Sequence, residues 1–576
     1  MGGWRWLVLG SAWACVGAPP APAPSPAPVA STAVSPSTPV PRPAPTLARP
    51  PAGEAVDTGA TATAGDTAAP AVPTPGFAFV DITAAAGVDY LHWSPDPATA
   101  RTCAWTWLMA GGAAAADFDA DGDTDLFAAR LDEPSLLFQN RGDGTFDEVH
   151  AALGVLTAGK VSSGLWFDPD GDGDLDLLVT RLGVDEGNLL FVQEAGQFTE
   201  QAAAFGLALP VATPGACSRI FSASAADYDL DGDEDVHLAQ WNNLEPTYEP
   251  SRTVLLRNDG GSFSDVTAAA GVALGPISAF TSGFSDFDAD GVLDLWVVAD
   301  FEQSRVFRGQ GDGTFLDTTA AWGAGLDTNG MGAAVGDWDG DGDPDWFVTA
   351  ILPDDLTDCS RPDWGCSGNV LYAGGSAGLF AEQGAVAGVQ DGGWGWGAAM
   401  GDLDGDGHLD LVHASGEIDG AGWTYGPETP RVFWNDGAGA ATEVAAAVGV
   451  GSAGLGRSVL LFDADGDGDL DLFHTANADH PRLWRNDAPA AGWLTVVVTG
   501  PARGLGARVE VTPAGGAPVQ TRWIHANSGF SAVGPAEAHF GLGTAAAADV
   551  RVVFPDGAQV VSLGVAAGQR WSVAHP

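Results

Sequence analysis

The chain of 576 residues has almost no lysine. Lys160 stands alone, and all Lys and Arg number 23 against 75 Asp and Glu, a formal charge of -52. A field of that sign argues against nucleic acid and anionic lipid as partners. Cysteine is scarce as well: there are five, with no Cys-x-x-Cys pair and no clustered histidine, which argues against a zinc site. Apart from Cys15, the remaining Cys103, Cys217, Cys359 and Cys366 are even in number, as in an exported chain, and the last two bracket the short excursion CSRPDWGC. Cys103 and Cys217 read equally as buried free thiols. No apolar run is long enough to span a bilayer stably. The longest, within MGGWRWLVLGSAWACVGA, is short and interrupted, and with one Arg and small residues it reads as an export signal over residues 1–18. Ordinary secretion and lipidation at Cys15 both remain open, so any membrane contact would be through that anchor. Residues 19–75 are Pro, Ala, Thr and Ser with almost nothing to bury, and are expected to form a disordered, semi-extended tether.

One acidic spelling is abundant. DFDADGDTDL from Asp117 returns as DPDGDGDLDL from Asp168, DYDLDGDEDV from Asp227, DFDADGVLDL from Asp286, DWDGDGDPDW from Asp337, DLDGDGHLDL from Asp402 and DADGDGDLDL from Asp463. Asp holds positions 1, 3, 5 and 9 throughout, Gly holds position 6, and position 10 is apolar. This is the front of an EF-hand calcium loop, where hard oxygens converge on one cation, but position 12 is never the bidentate Glu and no helix is expected to follow. An ion here would sit between strands. Seven copies spaced 51 to 65 residues apart mark a repeat architecture rather than a solvated turn.

Each repeat reads as four short strands. A small-residue strand such as GGAAAA precedes the acids, an apolar strand such as LDLLVT follows, and two more flank a turn, as in LLFQN-RGDG-TFDEV. Four strands in this length make one blade of a propeller, and the small residues suit the crowded innermost strand, where a Trp or Leu is not expected to fit. Segments that end blades resemble FSDVTAAAGV. The seventh repeat lacks one, whereas FVDITAAAGV stands ahead of the first. An all-β, seven-bladed propeller over residues 76–490 is therefore expected, closed by an N-terminal strand within residues 77–83, with a small C-terminal β-rich domain over residues 491–576.

These repeats resemble the FG-GAP and VCBS repeats of integrin α-subunit propellers and of many bacterial surface proteins. Beyond Gly492 the segments WLTVVVTG, RGLGARVEV, SGFS, HFGLG and VRVVFPDG resemble the ASPIC/UnbV domain, and the layout is similar to that of the cartilage acidic protein group. The resemblance implies an extracellular location and up to seven Ca2+ ions, one per loop. Carried over residue by residue, it implies carboxylate ligands at positions 1, 3, 5 and 9 and a backbone carbonyl at position 7. In the first loop these are Asp117, Asp119, Asp121, Asp123 and Asp125, and in the second Asp168, Asp170, Asp172, Asp174 and Asp176. The third has Asp227, Asp229, Asp231, Asp233 and Asp235, and the fourth Asp286, Asp288, Asp290, Val292 and Asp294. The fifth has Asp337, Asp339, Asp341, Asp343 and Asp345, and the sixth Asp402, Asp404, Asp406, His408 and Asp410. The seventh has Asp463, Asp465, Asp467, Asp469 and Asp471. A main-chain ligand at position 7 tolerates Val292 and His408.

Two further features compete for attention. Arg141, Gly142 and Asp143 spell RGD, but on a turn whose counterpart reads GQGDGTF, so the turn accounts for it. Lys160, Arg219 and Arg457 begin inner strands and could ring a channel mouth, though solvated or salt-bridged surface residues are the expected reading. No catalytic residues stand apart from the loops. The first reading is a calcium-binding, non-catalytic, monomeric platform on the cell surface or outer membrane, or secreted, for an extracellular protein or glycan. A propeller polysaccharide lyase or hydrolase and a structural envelope component are the alternatives.

Overall fold

The structure is a computed structural model that describes residues 75–93, 108–131, 134–184, 186–210, 217–241, 253–352, 366–416, 428–437, 440–451, 454–488, 491–527 and 529–576. The expected export signal, Cys15 and the tether to residue 74 lie outside the described residues, as do Cys103 and Cys359. Of Cys217 only the backbone is described, and Cys366 is disulfide-bonded. No helix among the described residues is long and apolar enough to cross a membrane.

The acidic loops punctuate a β-propeller. In the first unit, Ala113–Ala116, Asp125–Ala128, Leu136–Asn140 and Phe146–Glu148 pair antiparallel in sequence order, with the acidic loop joining the first two strands. The same meander recurs, giving seven four-stranded units among the described residues. The innermost strands are Ala113–Ala116, Lys160–Phe167, Cys217–Ala226, Ala279–Ser285, Ala333–Gly336, Gly395–Gly401 and Gly456–Phe462. Each touches the next, and the last touches the first. Apolar cores fill the wedges between neighbouring sheets, as where Phe118, Phe127, Trp166 and Leu177 meet between the first two units.

The ring closes at the N-terminus. Phe79–Asp81 pairs antiparallel with Arg482–Asn486, placing Phe79 opposite Asn486 and Asp81 opposite Trp484. The strand is shorter than residues 77–83 because Asp81 accepts hydrogen bonds from the amide and hydroxyl of Thr83, which starts a one-turn helix, Thr83–Ala86. The recurring glycine after that turn has a steric cause. Gly154 and Gly206 have φ of 94° and 84°, and a Cβ on them would meet the carbonyl oxygens of Phe198 and Phe263 at 2.6 and 2.7 Å.

The C-terminal domain is a two-sheet sandwich. One sheet orders Glu537–Gly543, Gly492–Thr499 and Gln569–Ala574; the other orders Gln520–Trp523, Arg508–Pro513, Ala547–Val553 and Gln559–Ala566. Between these strands, residues 524–527 and 529–534 leave the sandwich and enter the propeller's axis. Ala526 bridges Ala225, and Ala532–Val533 adds a parallel strand to Ala113 and Ala114. Ser531 is held by Phe221 and Ser222, and Asn527 bonds both backbone groups of Phe284. At the deep end Phe530 packs within 5.0 to 6.1 Å of Trp396, Phe280 and Phe221. These three large residues sit on innermost strands, contrary to the expectation that only small residues fit there. The axis has room for them because the inserted segment, rather than the strands themselves, fills it.

The acidic loops and the face they form

Every loop is knotted by the same hydrogen bonds. The first Asp accepts from the amide of the position-6 glycine in all seven, as Asp117 does from Gly122 at 3.1 Å. The Asp at position 5 accepts from the amide of position 7 at 2.8 to 3.0 Å. In the third and seventh loops the position-7 Asp turns its side chain to the neighbouring turn, Asp233 to the Gly260 amide at 2.7 Å and Asp469 to the Ala488 amide at 3.1 Å. That outward direction is why Val292 and His408 are accommodated.

Position 9 is the most constrained. All seven of these Asp side chains are at most 1% exposed. One oxygen accepts from the amide at the end of the third strand at 2.6 to 2.9 Å. The other accepts from the amide of position 2 in six loops. In the second loop position 2 is Pro169, which has no amide hydrogen, and Asp176 Oδ2 is left buried without a partner. Burial pushes these carboxyls up, to about 8 for Asp125, Asp176, Asp294 and Asp345 and about 9 for Asp235.

Position 3 differs. In three loops one oxygen is held by a side chain from the third strand: Gln139 donates to Asp119, Arg308 to Asp288, and Trp434 Nε1 to Asp404 at 2.8 Å. Oδ1 is buried with no hydrogen-bond partner in Asp119, Asp229, Asp288 and Asp465, as is Oδ1 of Asp117 and Asp402 at position 1. A buried carboxylate oxygen without a donor is costly unless a cation takes its lone pairs. The acids do converge: one ligand atom from each of Asp117, Asp119 and Asp125 lies within 4.8 Å of the others. The same holds for Asp168, Asp170 and Asp172, for Asp227, Asp229 and Asp231, for Asp286, Asp288 and Asp290, and for Asp337, Asp339 and Asp345. These residues fit a hard cation. Without one, burial and then mutual repulsion push the position-1 carboxyls up, to about 6 for Asp168, Asp227, Asp286, Asp337 and Asp463 and about 7 for Asp402.

Sequence reading overlooked a second repeated device. Asn140, the last residue of its strand, donates through Nδ2 to Thr124 O of its own loop and to Ala464 O of the preceding unit, both at 3.0 Å. Gln193, Asn258, Asn435 and Asn486 do the same, reaching Phe118, Pro169, Trp338 and Leu403 respectively. The recurring QNRGD, RNDGG, WNDGA and RNDAP were the available signal.

The C-terminal domain packs against part of the loop face, while the position-5 Asp of every loop stays exposed. Arg570 donates to Asp117 and to Gly122 O at 3.1 and 2.8 Å, and Arg503 to both oxygens of the buried Glu234 at 2.7 and 2.8 Å. The Gly541 amide reaches Asp402 at 3.1 Å, and His539 Nε2 reaches Gly468 O at 2.9 Å. The expectation that Arg219 and Arg457 are surface residues is also corrected: both are buried, and Arg457 lies 4.4 Å over the Trp396 ring while donating to Leu108, Gly416 and Gly456 carbonyls. Lys160 is half-buried. In the RGD turn, Asp143 caps Thr145 and exposed Arg141 pairs with Asp147, so local bonds account for both charged residues.

Two family models match the chain. An FG-GAP-like repeat matches residues 117–179, 168–238 and 286–348, and the ASPIC and UnbV domain matches residues 498–576. No curated protein matches in sequence. Among solved structures, the crystal structure of BBS1N in complex with ARL6DN is 10% identical and covers 73% of this chain and 99% of its own, with a TM-score of 0.40. The exotype rhamnogalacturonan lyase YesX is 15% identical over 65% of this chain and 72% of its own, with a TM-score of 0.34.

Proposed function

We propose that this FG-GAP-repeat β-propeller with a C-terminal ASPIC/UnbV domain is an exported, non-catalytic binding platform whose acidic loops hold calcium. The observation that carries the calcium reading is the set of buried, partnerless carboxylate oxygens at positions 1 and 3. Calcium suits them better than magnesium, because it accepts many oxygens in irregular geometry and gives up its water readily. Positions 1, 3, 5 and 9 would supply the side-chain oxygens and position 7 the backbone carbonyl. The ions would neutralise the acids under the C-terminal domain, so that the cationic Arg570 and Arg503 and the amide of Gly541 meet a fixed surface rather than mutually repelling carboxylates.

With the C-terminal domain packed against part of the loop face, the platform for a protein or glycan is the opposite face, where the second and third strands of each unit connect and where one unit leads to the next. Two apolar residues are exposed there, Phe301 on the connection of the fourth unit and Leu326 on the link to the fifth. The test is to capture a partner from extracellular matrix or cell-surface extract with the calcium-loaded full chain and to map proximity cross-links. Cross-links on the Phe301 and Leu326 connections support the assignment. Cross-links confined to the C-terminal sandwich refute it.

A further inference from the structure

The segment that fills the propeller axis does so unevenly. Its hydrogen bonds run mainly to the first, third and fourth units, through Ala113, Ser222, Ala225 and Phe284, with others to Ala333 of the fifth and Ser458 of the seventh, and beside the fifth, sixth and seventh it leaves a cavity of about 170 Å³. Exposure along the innermost strands records the same asymmetry. Ala113–Ala116 and Ala279–Ser285 are buried throughout, whereas Ala334 and Val335, Ala399 and Met400, and Leu461 are only half-buried.

One wall of this cavity is apolar, built from Ala334, Ala399, Met400, Leu461 and Leu470, and the other carries polar residues of the C-terminal domain. Among these, Glu537 pairs with Arg570 and Asn527 bonds Phe284, whereas Arg522 and His539 each have a group left over. Arg522 is 8% exposed; its Nη1 and Nη2 are bonded to Thr521 O and Gly407 O, and its Nε has no acceptor. Burial pushes the His539 pKa down to about 4, so the ring is neutral at pH 7. With Nε2 donating to Gly468 O, its Nδ1 is an acceptor with no donor. Both residues line the same cavity.

We propose that this cavity binds a small neutral molecule carrying a hydroxyl group on an apolar body. A hydroxyl can both accept, as Arg522 Nε requires, and donate, as His539 Nδ1 requires. A carboxylate has no proton to offer His539 Nδ1, and an ammonium offers Arg522 Nε no acceptor. Water satisfies the polar end but leaves the apolar wall wetted. The volume matches on the order of five water molecules, below the roughly 300 Å³ of drug-sized pockets, so the occupant is small.

The test uses three probes of one shape, isobutanol, isobutyrate and isobutylammonium, on the calcium-saturated full chain, read by saturation-transfer NMR and by melting temperature. Isobutanol is expected to bind saturably, with half-saturation on the order of 1 mM, and at least tenfold more tightly than either ion. Ala399→Leu, which fills the cavity, is expected to abolish binding, and His539→Phe, which keeps the ring but removes the acceptor, to abolish the preference for the alcohol. If Ala399→Leu does not fold, Ala334→Leu takes its place. Absence of saturable binding, equal binding of the three probes, or binding unchanged in a folded variant overturns the proposal.

Discussion

Positions 9 and 3 of the acidic loop carry the same side chain and stand six residues apart, yet the fold treats them oppositely. Asp235 is closed on both oxygens by the amides of Tyr228 and Asn258, while Asp229 leaves Oδ1 buried and unmatched. Their shared spelling conceals a division of labour. Position 9 ties the loop to its own sheet, and positions 1 and 3 keep lone pairs free for a cation. The second loop sharpens the contrast, since Pro169 removes one of the two amides and leaves Asp176 part structural and part open.

The largest effect should come from removing all the ions. A ligand at 100 times its Kd stabilises a fold by about 2.7 kcal/mol per site. Seven sites together should give a melting temperature that falls steeply with chelator and recovers with millimolar calcium. Next, Asp235→Ala strands two buried amides, each worth about 1 to 3 kcal/mol, so it should cost about 2 to 6 kcal/mol even in saturating calcium, measured by the denaturation midpoint. Asp229→Ala should cost far less in chelator than in calcium. If both substitutions destabilise equally with and without the metal, the division between the two positions fails.

The pH dependence follows from the raised carboxyls. Their folded pKa values, about 6 at position 1 and 8 to 9 at position 9, lie above the unfolded value, so the folded state holds protons more tightly. In chelator that contribution is fully present below about pH 4 and is lost as pH rises through about 9. Calcium, which replaces the protons, should flatten the fall or reverse it. A melting curve in chelator that rises across this range contradicts the account. Smaller still, Asn486→Ala should cost about 1 to 3 kcal/mol by breaking the stitch to Leu403 O. Smallest of all, Val292→Ala should leave ion content and melting unchanged.

Much of this was legible because it is local and repeated. The loop register, the meander and the closing strand at Phe79 are spelled in contiguous segments, and seven copies expose the pattern. The asparagine stitches were equally local but lie outside the acidic spelling. What could not be read is whatever depends on distant partners without a period. SGFS gives no sign that Phe530 meets Phe221 and Phe280, some three hundred residues earlier, or that the sandwich covers the loops. Arg457 could not be recognised as buried because its aromatic partner, Trp396, and its carbonyl partners come from separate parts of the ring.

Counting ions tests the central claim most directly, that the metal takes the oxygens the fold leaves unmatched. Calcium per chain should be measured by plasma mass spectrometry, after equilibrium dialysis against millimolar calcium with the bath concentration subtracted, for the full chain and for Asp229→Ala, with circular dichroism to verify folding. The account predicts a folded variant with one ion fewer than the parent. A folded variant with the parent's ion content, or a parent with none, would contradict it.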